Sequence, residues 1–557
     1  MMRRADRADE TGSAKEREAH PSTTFANNIP WLLYSLGILY ALYFIVSQGG
    51  LWTENDTAVF IASTKATLAA RNVLFPGQYS HGFGYPGWLG SLALMTGTSV
   101  TTADTLVAPF IGVTFLMVGS FLTYRTLLRH EGTAALATVL LLALPDVMFT
   151  VLRGNHEKLN VFFALTDFFV LFKGFQAVRS RKNVEILTWV LIYYALVFCN
   201  TATNDYFGST VVFISVLTVL FLVALFRIRR RYFHIQSVAL RFGASIATSW
   251  LLIWLVMLFV FPQDGQDFLL LDSVGKQLSV LFTTLAPSSN PYAEASQQWI
   301  TPAVGYLTGI SRDLLIAGSL VWFLIQLTRL LRRRRMPAAG EVFLLGAFFA
   351  YAMLIAVSVP IDLLGLAAGA NLEVRNFNYF ALMGAPVAAW GVQAMRTPGR
   401  RSRSLAPARG RARWRPIRLS ANFLLGAVLV VLVTGGALKA TLSPVISNQW
   451  IFYSPYEREA LGFFYNHNQG VNMWTGPDDR LVNLFEQSYP VDVKNDIPDG
   501  YDLDSRPQNR DILWSPIVSA DVIANGYPVP DLSQMNRVYD NGGAQIYRIA
   551  PATPLQN

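Results

Sequence analysis

The sequence predicts an all-α polytopic membrane bundle of about eleven transmembrane helices, joined to a small exported α+β domain. Three observations carry that expectation. Of 557 residues, 52% are hydrophobic and only 15% charged, with a mean hydropathy of +0.34. Apolar runs of about 18 to 25 residues recur, each long enough to cross roughly 30 Å of hydrocarbon as a helix. Beyond residue 440 the composition changes, with 14 Asp and Glu against seven Lys and Arg over 441–557.

The crossings are expected at 30–48, 105–126, 132–150, 158–177, 184–201, 207–227, 238–261, 312–330, 341–360, 377–395 and 419–440. Their connectors alternate in charge. Those at 125–130, 173–182, 227–241, 329–335 and 396–418 hold 25 Lys and Arg, and those at 48–104, 150–158, 200–207, 262–311 and 360–376 hold six. The positive-inside rule therefore places the amino terminus and the basic connectors in the cytoplasm and exports the carboxyl terminus.

The resulting organisation is a polar, disordered cytoplasmic tail (1–29), a membrane module (30–396) with a long first external loop (48–104), a basic linker (397–418), a last crossing (419–440) and an extracytoplasmic domain (441–557). The run from Pro30 lacks a small-residue cleavage site and reads as a signal anchor. Near the end, "RVYDNGGAQIYRI" sets two β-prone runs around an Asn-Gly-Gly turn, a hairpin signal. Cys199 is the single cysteine, which excludes an intrachain disulfide and any multi-cysteine metal site. The net charge of +9 lies in short clusters between apolar runs, where it sets orientation and meets anionic headgroups, so no nucleic-acid partner is expected.

The chemistry is sought on the outer face. Glu54 and Asp56 open the first external loop, which is too long to be a simple turn. Its segments "DTAVFIASTKATLAARNVLF" and "YPGWLGSLALM" suit helices that lie along or dip into the interface. Asp56 fits a helix N-cap, which leaves Glu54 unexplained, and an anion pair beside a membrane loses solvation. The second connector, "VLRGNHEKLNVFF", crowds Arg153, His156, Glu157 and Lys158 together. Two readings stand: Glu157 pairs internally with Arg153 or Lys158, or the two cations hold an anionic headgroup while Glu157 or His156 orients them. Asn204 and Asp205 read as a helix end, Arg312 and Asp313 as a surface pair, and the acidic connector 262–311 as a flap. Arg375 stands at an outer helix start against the charge bias of the chain, and a phosphate suits its planar fork. In the exported domain Trp450, Trp474 and Trp514 are candidates either for its core or for stacking on sugars.

External carboxylates and cations around interfacial helices describe a site for a lipid-borne phosphate and a hydroxylic acceptor. A transferase working outside needs a donor that has already crossed, and polyprenyl-phosphate sugars meet that need. A carboxylate would take the acceptor proton while a cation stabilises the departing phosphate, giving inversion by single displacement.

On these motifs the chain resembles the GT-C superfamily of integral membrane glycosyltransferases, especially the branch of protein O-mannosyltransferases and lipid A aminoarabinose transferases. The resemblance covers roughly residues 30 to 396. The family's first-loop acidic motif corresponds to Glu54-Asn55-Asp56, which implies Asp56 as base with Glu54 beside it. Its Tyr-Pro step corresponds to Tyr85-Pro86 in "FGYPGW", its Arg-then-acidic helix start to Arg153 and Glu157, and its late Arg-aromatic-Pro segment to Arg375 in "RNFNYFALMGAP". The resemblance implies donor-phosphate binding by Arg375, Arg153 and Lys158, and substrate positioning by Glu157, His156, Tyr85 and His81. A divalent metal, Mg²⁺ or Mn²⁺, would take Glu54 and Asp56 as oxygen ligands. There is no Asp-Glu pair in the first loop and no MIR-type insert, so donor sugar and acceptor (glycan, lipid or protein) stay open. The competing functions are an envelope polysaccharide polymerase or ligase and a lipid-linked-glycan transporter. An Asn-X-Thr acceptor at Asn55-Asp56-Thr57, inside the site, points to a prokaryotic inner membrane.

Overall fold

The computed structural model describes residues 23–47, 55–74, 81–228, 233–260, 302–332, 338–363, 372–396, 415–441, 454–467, 472–475, 481, 510–524 and 529–549. Glu54, residues 262–301 of the flap expected at 262–311, most of the basic linker and Trp450 lie outside these residues, and the remainder of that flap, from Pro302, is helical.

Helices occupy every position where a crossing is expected. They are α1 (Thr23–Ser47), α5 (Ala108–Leu128), the pair α6 (Glu131–Leu142) and α7 (Pro145–Leu152), α8 (Glu157–Ser180), α9 (Asn183–Thr203), α10 (Asp205–Ile228), α11 (Phe233–Val260), α12 (Pro302–Arg332), α13 (Ala339–Leu363), α14 (Leu372–Arg396) and α15 (Arg415–Thr441). Eight helical stretches among the described residues are long and apolar enough to cross a bilayer, and a ninth arises if α6 and α7 count as one. The pair is bent by 78°, so the crossing expected at 132–150 is a broken one. Pro145 causes the break: it has no N–H to give, and it forces Leu144 out of the helical region to φ −98, ψ 109. α14 and α15 do not reach the criterion over their described residues. α1 also begins earlier than the 30 expected, at Thr23.

The first loop contains two helices too short to cross, α2 (Asn55–Ala70) and α3 (Gly84–Thr96). They share a small core of Phe60, Ile61, Tyr85, Leu89, Ala93 and Val100 with Leu159 of α8, separate from the main bundle core. The short α4 (Val100–Thr102) runs through a π-helical turn, Ala103–Val107, into α5. α8 is the most buried of the candidate spans, and its N-terminal end meets this loop.

The described part of the segment after α15 combines α16 (Pro455–His467), α17 (Pro516–Ala524) and four strands, β1 (Asn472–Trp474), β2 (Arg510–Trp514), β3 (Met535–Asp540) and β4 (Gln545–Ile549), in the order β1-β2-β4-β3. β1 and β2 are parallel and the other pairs antiparallel. The expected hairpin is β3–β4. Asn541 shapes its turn: its Oδ1 accepts from the N–H groups of Gly543 (3.2 Å) and Ala544 (2.8 Å), while Gly542 takes φ +85. Trp474 is buried in the core of this segment and Trp514 packs against it, so both serve packing rather than an open stacking surface. Arg548 of β4 grips buried Asp511 of β2 with two bonds, Nε at 2.9 Å and Nη2 at 2.7 Å, and this pairing raises the Arg548 pKa above its ordinary value. Asp511→Ala is expected to destabilise the sheet by about 2 kcal/mol, read as faster proteolysis of this segment in the full-length chain.

Candidate active site

The first turn of α2 carries Asp56 and is tied to the loop between α7 and α8. The Gly154 N–H donates to the buried Thr57 Oγ1 at 3.0 Å. Helix α2 begins at Asn55, so Asp56 lies inside its first turn rather than at the N-cap position expected for it.

The α7–α8 loop is buried, not a solvated turn. Asn155, His156, Glu157 and Lys158 are all below one-tenth exposed. Asn155 starts α8 by accepting the Glu157 N–H at 3.2 Å. Arg153 Nη2 lies 3.1 Å from Glu157 Oε2, so of the two readings for this connector the internal pair is formed, with Arg153 as the partner. Thr150 of α7 donates to the same Glu157 oxygen at 3.1 Å, and Asn378 Nδ2 of α14 donates to Thr150 Oγ1 at 2.8 Å. Glu157 thus joins three helices, and the charges of Arg153 and Arg375 act on it. Arg375 is exposed near the start of α14. His156 sits between the rings of Phe60 (5.2 Å) and Phe207 (5.6 Å), an aromatic slot that fixes its plane.

Lys158 points elsewhere. One position further along α8 turns it about 100° from Glu157, and its Nζ lies 3.4 Å from the Tyr85 hydroxyl and 5.6 Å from that ring's centroid. It is almost wholly buried, so in this conformation it does not face the outer surface as the phosphate-binding expectation requires. Tyr85 is likewise buried and donates to Asp104 Oδ1 at 2.5 Å. His81 is exposed and faces Asp205 (Nδ1 to Oδ1 3.8 Å) at the start of α10. Asn204 caps α10 by accepting the Phe207 N–H at 3.2 Å, as the helix-end reading expects. Arg312 lies over the Phe377 ring at 4.6 Å, two positions from Arg375 on α14, and not only beside Asp313.

Two carboxylates escaped the sequence reading. Asp104 had a weak signal, an acid at the threshold of an apolar run. Asp167, in the middle of α8, is 2% exposed with no hydrogen-bond partner for either oxygen among the described residues, and its signal was its place inside a membrane run.

Among the described residues no group of three or more His, Cys, Asp or Glu could hold a metal ion. Glu157 is already engaged by Arg153 and Thr150.

Comparison with protein-family models gives no match, and comparison with curated proteins gives none either. Solved structures do match. The oligosaccharyltransferase of Archaeoglobus fulgidus in its apo form superposes with a TM-score of 0.52 at 13% identity, over 86% of this chain and 62% of that one. The same archaeal enzyme, AglB, in complex with an inhibitory peptide and a dolichol-phosphate gives 0.50 at 12% identity, over 86% and 62%. ArnT of Cupriavidus metallidurans in the apo state gives 0.41 at 14% identity, over 95% and 100%. The chain spans about 62% of the length of the archaeal enzyme. The helical membrane fold expected from the resemblance is the fold observed, and it is shared with the archaeal oligosaccharyltransferase.

Proposed function

We propose that the protein is a membrane glycosyltransferase that moves a sugar from a polyprenyl-phosphate donor to an extracytoplasmic hydroxyl, with inversion. The observation that carries this reading is the Gly154–Thr57 bond, which seats the turn bearing Asp56 on the loop bearing Arg153 and Glu157, within the field of Arg375. Asp56 is the base that takes the acceptor proton as the hydroxyl attacks the anomeric carbon. Arg375 holds the departing phosphate, and Arg153 is kept in place for the same anion by Glu157. His156 and Tyr85 shape the surrounding wall. Glu54 and Asp56 are the oxygen donors a Mg²⁺ or Mn²⁺ ion would use. The fold shared with the archaeal oligosaccharyltransferase, solved with a dolichol-phosphate, supports a lipid-phosphate donor. The positive-inside asymmetry supports a plasma-membrane site on the outer face, with the amino terminus inside.

The test is transfer from a panel of radiolabelled polyprenyl-phosphate sugars in membranes, comparing wild type with Asp56→Asn. Asp167 favours a second reading, transport of a lipid-linked glycan, because an intramembrane carboxylate is costly unless it has work. If no labelled sugar moves with any donor while Asp167→Asn abolishes glycan translocation, the transporter reading replaces the transferase.

A further inference from the structure

Asp104 is fully buried, on the π-helical turn that leads into α5. The wide turn buries Ala103, Asp104 and Thr105 in succession. Lys158 has only protons to give, so the Tyr85 oxygen accepts from it and the Tyr85 proton goes to Asp104 Oδ1. A cation on α8, a hydroxyl on α3 and an anion ahead of α5 thus form one buried, charge-balanced chain. Its far end presses on the site: a Cβ placed on Gly154 would stand 2.3 Å from Asp104 Oδ2 and 2.7 Å from Thr57 Cγ2. Oδ2 has no hydrogen-bond partner among the described residues and lies where a side chain on residue 154 would stand. Apolar packing would bury the same surface at no desolvation cost, so stability alone does not account for the ionic chain.

We infer that Asp104 is a positioning residue: with Tyr85 and Lys158 it sets the floor beneath Gly154, and through the Gly154–Thr57 bond it fixes the turn that carries Asp56. This rests on the transferase reading for what the position is used for, but not for the position itself. Lys158 serves the site from below, as the counter-charge of Asp104, rather than as a phosphate ligand.

The test has two arms in the full-length chain. In the first, donor and acceptor kinetics are measured for Asp104→Asn, for Thr57→Val and for the conservative Thr57→Ser. Asp104→Asn and Thr57→Val are each expected to lower kcat at least tenfold with the donor KM within about twofold of wild type, while Thr57→Ser restores kcat. Adding Asp104→Asn to Asp56→Asn is expected to lower kcat no further. In the second arm, Asn55→Cys in a Cys199→Ser background is labelled with a membrane-impermeant maleimide, and Asp104→Asn is expected to change the labelling rate severalfold. Unchanged labelling together with wild-type kcat in Asp104→Asn would overturn the inference, as would fully additive losses with Asp56→Asn. The labelling arm needs no sugar transfer, so it decides the inference even if wild type transfers nothing and the transferase reading fails. If Asp104→Asn does not fold, Thr57→Val carries both arms.

Discussion

Asp56→Asn is expected to lower the rate of sugar transfer by about two to four orders of magnitude, the range seen when a general base is removed. The substitution separates the two roles open to this residue. Asparagine serves a helix start as well as aspartate does, losing only the dipole contribution of roughly 0.3 to 1 kcal/mol. It cannot accept a proton at neutral pH. A variant with wild-type unfolding behaviour, wild-type donor KM and almost no turnover identifies Asp56 as the base. Full turnover would reduce it to a helix-start residue and leave the Glu54–Asp56 pair without a catalytic role. Donor affinity stays unchanged because the phosphate is assigned to Arg375, so Arg375→Ala should produce the opposite pattern of raised donor KM.

Glu157→Ala is expected to cost about 3 to 5 kcal/mol and to abolish transfer. Arg153 and Glu157 are both about one-tenth exposed, so removing the carboxylate strands a guanidinium in a site that water hardly reaches. The Thr150 hydroxyl loses its acceptor in the same step, and with it goes the polar link from α8 through Thr150 to Asn378 on α14. Thermal unfolding in detergent, compared with Glu157→Gln, measures this. The glutamine oxygen still accepts from Thr150, so that variant should recover part of the stability but hold Arg153 less firmly. Equal midpoints for wild type and Glu157→Ala would show that the pair has no structural worth.

The membrane fold and the outer-face residues were largely legible because their signals are local. Apolar runs announce helices, and an arginine is visible wherever it stands. Arg153, Glu157 and Arg375 needed no partner to be noticed, and the structure brings them into one field. Lys158 misled for a physical reason: adjacency in sequence places it beside Glu157, but the helix turns the two side chains toward different neighbours. Asp104 gave only a weak signal because its meaning depends on Tyr85, 19 positions away, and on a lysine that reaches the same hydroxyl across 73 positions. The break at Pro145 was hidden within a run whose hydropathy is continuous, since hydropathy does not register a missing N–H.

The bond from Asn378 to Thr150 spans 228 residues, and the one from the Tyr124 hydroxyl to the Leu382 carbonyl spans 258. Both reach α14 from helices made much earlier. During synthesis Thr150 and Tyr124 are therefore made long before the α14 groups that they bond. A ribosome-bound intermediate that stops after α13 lacks both bonds, so the membrane module gains these polar ties only when nearly all of it has been made.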